Sequence, residues 1–168
     1  MDKGKIFVGE TNGNYLIRMS GDVRVTLCAT LNHYVESIFG NHNVKSVLVD
    51  LLETEGVDST TLGLLTKLAL SSKRYYNIVP LLFCTNPGIL KTLEVMSLDE
   101  LFTIIHEAPE KSDEAGLLEE LPCDKSDEDE ARRSVLEAHR LLVEVNPQCE
   151  PEFIDLIRYL EDEVSKQS

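Results

Sequence analysis

The 168-residue sequence predicts an α/β fold, a mixed and mostly parallel sheet with packed helices, followed by a C-terminal helical hairpin. Three observations carry that prediction. Through residues 3–107, short apolar and β-branched runs alternate with segments of three- and four-residue periodicity. The composition then turns acidic: residues 1–107 hold 12 acids against 9 bases, and residues 108–168 hold 18 against 7. Beyond residue 127 the β-like runs stop and two amphipathic helical patterns take over. The chain therefore divides into an α/β domain over 1–107, an acidic linker over 108–127 and a helical extension over 128–168.

The elements follow in order. KGKIFVGE (3–10) and NYLIRMS (14–20), separated by Thr-Asn-Gly, read as a hairpin or two neighbouring strands. RVTLCATLNHYVESIF places Leu27, Leu31, Tyr34, Val35 and Ile38 on one helical face. VKSVLVDLL (44–52) is short, apolar and β-branched, which suits a strand buried on both faces. STTLGLLTKLALSSKRYY sets Leu62, Leu65, Leu68 and Ala69 on one side of a helix. NIVPLLFCT reads as a buried strand in which Pro80 implies a bulge or an edge position. PGILKTLEVMS turns helical after its proline and glycine, and LFTIIHE closes the domain with a last strand. The linker, punctuated by Pro109, Gly116 and Pro122, is expected to be mobile or loosely docked. In the extension, Val135, Leu136, His139, Leu142 and Val143 form one stripe; Phe153, Ile157, Leu160 and Val164 form another behind Pro151. The second stripe either packs on the α/β domain, extends a partner surface or makes a homodimer.

Composition narrows the function. A formal net charge of −14 opposes direct contact with nucleic-acid phosphates, which Lys and Arg must neutralise. No run approaches the roughly 18–20 apolar residues of a membrane span, and the N-terminus carries no apolar core of signal-peptide length. The four cysteines, Cys28, Cys84, Cys123 and Cys149, form no CxxC pair, so neither zinc nor a disulfide framework is expected, and a reducing cytoplasm fits. The histidines, His33, His42, His106 and His139, are dispersed and read as structural or solvated. No HExxH, GxSxG, Walker or GxGxxG pattern is present, so an enzyme is not expected. A receiver-domain reading would make Asp50 a phosphoaspartate, but the acidic pair it needs near the first strand is missing.

The stretch that carries chemistry is DLLETEGVDSTTLGLL, residues 50–65. Asp58, Ser59 and Thr60 stand where a strand gives way to a helix, and each is a residue type whose oxygen caps the free N–H groups of a first turn. The wider pattern resembles STAS domains, in particular the anti-sigma factor antagonists of bacteria. In that family a strand ending Asp-Leu-Ser is followed at this spacing by Asp-Ser-Ser/Thr-Gly-Leu-Gly. Asp50 and Leu51 match the first part; Asp58, Ser59, Thr60, Leu62 and Gly63 match the second. Leu52, Gly56 and Thr61 depart from it, Thr61 standing where the family has glycine. The resemblance covers about the first two thirds of the chain.

The resemblance implies that Ser59 is the phosphoacceptor of a partner-switching system. An anti-sigma factor that is also a serine kinase would phosphorylate it, and a PP2C-type phosphatase would reverse the step. The unmodified form would bind the kinase and free that partner's client through Asp50, Asp58, Ser59, Thr60, Thr61, Leu62 and Gly63. No cofactor is implied, since ATP belongs to the kinase. Thr60 and Thr61 rank below Ser59 as acceptors. The local physics agrees: a phosphate adds roughly −1.5 to −2 charge, which a helix N-terminus favours by about 0.3–1 kcal/mol. Beside Asp58, and near Asp50, Glu53 and Glu55, the same charge would cost a partner fitted to a neutral hydroxyl several kcal/mol.

Overall fold

The computed structural model describes residues 2–40, 43–107, 118–123 and 128–166. Strand β1 (Lys5–Thr11) returns as β2 (Asn14–Val23) through Asn12 and Gly13, both at positive φ (52° and 86°), the two-residue turn that right-twisted strands prefer. A 3-10 turn leads into α1 (Cys28–Phe39), then β3 (Ser46–Val57), α2 (Ser59–Tyr76), β4 (Leu81–Phe83), α3 (Pro87–Val95) and β5 (Thr103–Ile105). A two-residue strand, β6 (Glu119–Glu120), precedes α4 (Glu128–Val145) and α5 (Glu150–Ser165).

The sheet has the order β5-β4-β3-β2-β1-β6. From β2 through β5 every pairing is parallel, while β1 pairs antiparallel with both β2 and β6. The core lies under α1 and α2: Ile17, Met19, Val49, Leu51, Leu31, Val35, Leu65 and Leu68 are fully or almost fully buried. On β3, Val47, Val49 and Leu51 are buried whereas Leu48 and Leu52 are only partly so. Residues 44–52 are therefore not buried on both faces as the apolar run suggests; helices cover one face and alternation decides the rest. Nor does the strand end near Asp50. It runs on to Val57, with register shifts against β2 between Arg18 and Ser20 and between Gly21 and Asp22.

Two other elements differ from the sequence reading. The strand expected across residues 77–85 is only Leu81–Phe83, a central position between β3 and β5. Pro80 lies just outside it, where its missing N–H costs no ladder bond and its carbonyl accepts from the Thr103 N–H at 3.0 Å. Within the expected linker, residues 118–123 are docked along β1: Leu121 N–H donates to the Ile6 carbonyl at 2.8 Å, and the Thr30 hydroxyl donates to the Pro122 carbonyl at 3.0 Å. The rest of that linker, like His42, lies outside the described residues.

The hairpin α4–α5 forms a layer over α2. Helix α2 is buried on almost every side from Thr60 to Ala69, as a helix must be when it lies between a sheet and another helix. Its buried hydroxyls are satisfied locally, Thr66 on the Leu62 carbonyl (2.9 Å) and Ser72 on the Leu68 carbonyl (2.7 Å). Leu136, Leu142, Phe153, Ile157 and Leu160 join the core. The α5 stripe is thus used inside the chain, and a homodimer through Phe153, Ile157 and Leu160 has no free surface to use.

Candidate functional site

The start of α2 is organised by Asp58. One carboxylate oxygen accepts from the Thr61 N–H (2.9 Å) and the Thr61 hydroxyl (2.8 Å); the other accepts from the Val25 N–H (2.7 Å) at the entry to α1. Asp58 is therefore the N-cap, extended at φ −98°, and it ties two helix starts together. Thr61, the residue standing in place of the family glycine, is 1% exposed and turned inward onto Asp58, so its side chain adds nothing to the outer face of the helix.

With capping assigned to Asp58, Ser59 is left as the first residue of α2 with its hydroxyl uncommitted to its own helix. It turns instead to α4, where its Oγ lies 2.8 Å from His139 Nε2. The other ring nitrogen, Nδ1, lies 2.7 Å from the Val135 carbonyl. A carbonyl can only accept, so Nδ1 carries a hydrogen; in the neutral ring Nε2 is then the acceptor and the serine hydroxyl the donor. The ring is 2% exposed and rests edge-on against Phe153 with centroids 5.0 Å apart.

One turn along α2 the two helices come into close contact. A Cβ built on Gly63 would sit 2.4 Å from the Ala138 carbonyl oxygen and 2.5 Å from the Ala138 Cβ, so the backbone of α4 occupies the space that any other residue at 63 would fill. Further along, Lys67 Nζ reaches Glu137 of α4 at 2.6 Å, Glu36 of α1 at 3.0 Å and Asn32 of α1 at 2.9 Å. Burial works to lower the Lys67 pKa, but the bonds to Glu137 and Glu36 outweigh it and the net shift is upward. His33 of α1 pairs with Glu130 of α4.

These contacts change the picture of the site residues. Thr60, Thr61 and Leu62 are all at most 5% exposed, and Gly63 is covered by α4. Of the face that the sequence offers as a partner surface, Ser59 and Gly63 meet the chain's own hairpin, while Thr61 turns towards Asp58 and Val23. Only Asp58 and Ser59 are part-exposed. Asp50 is placed elsewhere: it sits opposite Arg18 in the sheet, accepts from Arg18 Nε at 2.9 Å and from the Leu52 N–H at 2.9 Å, and is 6% exposed. Between the pairs Arg18–Asp50 and Val23–Val57 the β2 strand advances five residues of about 3.3 Å, which puts Asp50 on the order of 17–20 Å from Asp58, beyond a screening length and too far to share a charge cluster with Ser59. The residues that the sequence reading missed are Ala138 and His139. The one signal available was a histidine inside an apolar stripe, and nothing in the sequence relates it to a serine 80 positions earlier.

A serine hydroxyl donating to a histidine nitrogen has the geometry of a nucleophile and its base. Here the second nitrogen ends on a backbone carbonyl. Four surface cavities of the described residues are lined by neither Ser59 nor His139; one of about 340 Å³ lies beside Leu16, Leu48 and Leu81. The pair is a helix-to-helix bond with no described cavity for a substrate. Among the described residues, no group of three or more His, Cys, Asp and Glu could hold a metal, and no helix is long and apolar enough to cross a membrane.

No family model and no curated protein matches this sequence. Among solved structures, the fold matches the anti-sigma factor antagonist SpoIIAA in its unphosphorylated form, with a TM-score of 0.54 and 14% identity over 61% of this chain and 89% of that one. It also matches the Bacillus cell fate determinant SpoIIAA in the phosphorylated form, with a TM-score of 0.51 and 14% identity over 61% and 92%. The α/β part of this chain has the STAS fold of those structures.

Proposed function

We propose that this chain is an anti-sigma factor antagonist that acts by partner switching. The unmodified form binds an anti-sigma factor that is also a serine kinase and so frees the kinase's client. Phosphorylation of Ser59 ends that association, and a PP2C-type phosphatase restores it. The protein works in the cytoplasm by binding rather than by catalysis, needs no cofactor and contacts neither nucleic acid nor membrane. The observation that carries this reading is the division of labour at the helix start. Asp58 does all the capping, so the hydroxyl of Ser59 stands part-exposed at a helix N-terminus, where a phosphate is electrostatically favoured.

Intact-mass and peptide mass spectrometry of the protein from its native cell tests this. A single phosphate on Ser59, removed by phosphatase, is the expected result; a Ser59 unmodified in every growth state would refute it. A second reading, a constitutive scaffold without a switch, draws on the burial of Thr60 to Leu62 and the seating of α4 on Gly63. Ser59→Ala and Ser59→Asp separate the two: the switch keeps binding in the first and loses it in the second, while a scaffold binds equally through both.

A further inference from the structure

The face of α2 that the proposed switch needs is occupied in this structure by α4, and the occupant inspects the same serine. Ser59 donates its hydroxyl hydrogen to His139 Nε2 at 2.8 Å. In the neutral ring the Nδ1–H is given to the Val135 carbonyl, which leaves Nε2 to accept, and the ring is held in place by Phe153. Four residues along, Gly63 lets the α4 backbone approach so closely that α4 cannot slide inward or sideways to make room. Glu137 and Glu130 of α4 hold it down at Lys67 and His33.

We infer that the α4–α5 hairpin and the partner compete for one face of α2, and that a phosphate on Ser59 expels the hairpin. The inference rests on the proposed function for the identity of the modification, and on the geometry alone for its effect. In the transfer, the γ-phosphoryl group of a nucleoside triphosphate forms a bond to Ser59 Oγ. The bond from the γ-phosphorus to its bridging oxygen breaks, the nucleoside diphosphate leaves, and the hydroxyl proton passes to the kinase's base. What remains on Ser59 has no hydrogen to donate to Nε2. It carries three acceptor oxygens in a space that held one hydrogen bond. Against the neutral ring, acceptors then face an acceptor in a part-buried site, and the tetrahedral group crowds the ring. Lys67, between these helices, is already engaged by Glu137 and Glu36, and His33 by Glu130.

Two consequences follow for binding. A partner reaching Ser59 and Gly63 must first displace the hairpin, so its apparent affinity is lowered by the fraction of chains that are open. The kinase meets the same barrier in part, because in-line transfer requires free space around the Ser59 Oγ and His139 takes one side of it.

The test uses the full chain with phosphoserine encoded at position 59, so that no kinase is needed, and reads amide hydrogen exchange by mass spectrometry. Expected is exchange at least about tenfold faster across residues 135–160 than in the unmodified chain, with the amides of β1 to β3 unchanged. Ala138→Leu, which adds bulk on the hairpin side of the same contact and leaves the serine intact, should give the same pattern. Unchanged or greater protection of α4 and α5 in the phosphoserine protein, with Ala138→Leu open, overturns the inference by showing that the phosphate clamps the hairpin. If the phosphoserine chain loses protection in the sheet as well, Ser59→Asp is read by the same two criteria. A Ser59 that is never phosphorylated in the cell would remove the proposed function yet leave this result standing, so the two failures are separable.

Discussion

Replacing Gly63 with alanine adds a single methyl group at a close contact between α2 and α4. The new Cβ would lie 2.4 Å from the Ala138 carbonyl oxygen, 2.5 Å from its Cβ and 2.6 Å from its carbonyl carbon, where ordinary contact begins at 3.4 Å. None of these atoms is the end of a flexible side chain, so α4 must retreat by about 1 Å. A gap of that size forfeits roughly a quarter to a half of the dispersion attraction of the atoms it separates, and overpacking of a well-filled contact costs about 1–3 kcal/mol. Within α2 the same change is favourable, by roughly 1 kcal/mol of helix propensity. The two effects act on different parts of the molecule, which makes them separable. Hydrogen exchange on the full chain should show α4 and α5 opening about tenfold more often, since each 1.4 kcal/mol is a factor of ten, while α2 and the sheet hold or gain protection. Adding Ala138→Gly should recover only part of the loss, because it removes the 2.5 Å clash but leaves the carbonyl at 2.4 Å. A Gly63→Ala protein with unchanged exchange in α4 and a raised melting temperature would refute the reasoning, for it would mean that α4 is not seated on Gly63.

Asp58→Ala should lower stability by about 2 kcal/mol in chemical denaturation, more than an average cap, because it strands the Thr61 N–H and the Val25 N–H together and leaves the Thr61 hydroxyl only the Val23 carbonyl at 3.5 Å. Asp58→Asn should recover most of this. Of the four cysteines, Cys123 is exposed and Cys28, Cys84 and Cys149 are buried; iodoacetamide should therefore label one thiol quickly and the other three only on unfolding, as read by intact mass. Burial pushes those three thiols above their ordinary value of 9.0, and burial with Tyr15, Glu10 and Glu119 nearby pushes Tyr34 up to about 12. The unfolded chain then releases protons that the folded one keeps. Stability should be flat below about pH 9 and fall from there towards pH 12, a trend to follow by urea midpoints across that range. A midpoint that holds constant to pH 11 would contradict the burial of these groups.

The sequence by itself determined what is written in local periodicity and in short signals. Asn-Gly set the β1–β2 turn, alternation and three-to-four spacing set α1, α2 and their order with the strands, and Asp-Ser-Thr marked where α2 begins. These are decided by neighbours a few residues apart, so they are legible one window at a time. The strand lengths were not, because how far β3 runs depends on what β2 and β4 offer it. The apolar run ending at Leu52 continues to Val57 through polar residues that the ladder holds in place. Pro80 could be read as a bulge only until the structure put it outside a three-residue central strand.

The candidate site divides in the same way. That Asp58, Ser59 and Gly63 belong to one helix start follows from their spacing, but which of them caps, which is offered outward and which must be glycine does not. Asp58 became the cap because Val25 and Thr61 both present N–H groups to it, and Asp50 left the site because Arg18 faces it across the sheet. Gly63 and Ser59 acquired their roles from α4, a helix some 80 residues away in the chain that no short-range pattern connects to α2. An amphipathic stripe states that a helix will bury one face and is silent about where. Only the packed molecule decides that the face of α4 falls on α2, because burying Leu136, Leu142 and Phe153 there brings His139 to the serine at the same time.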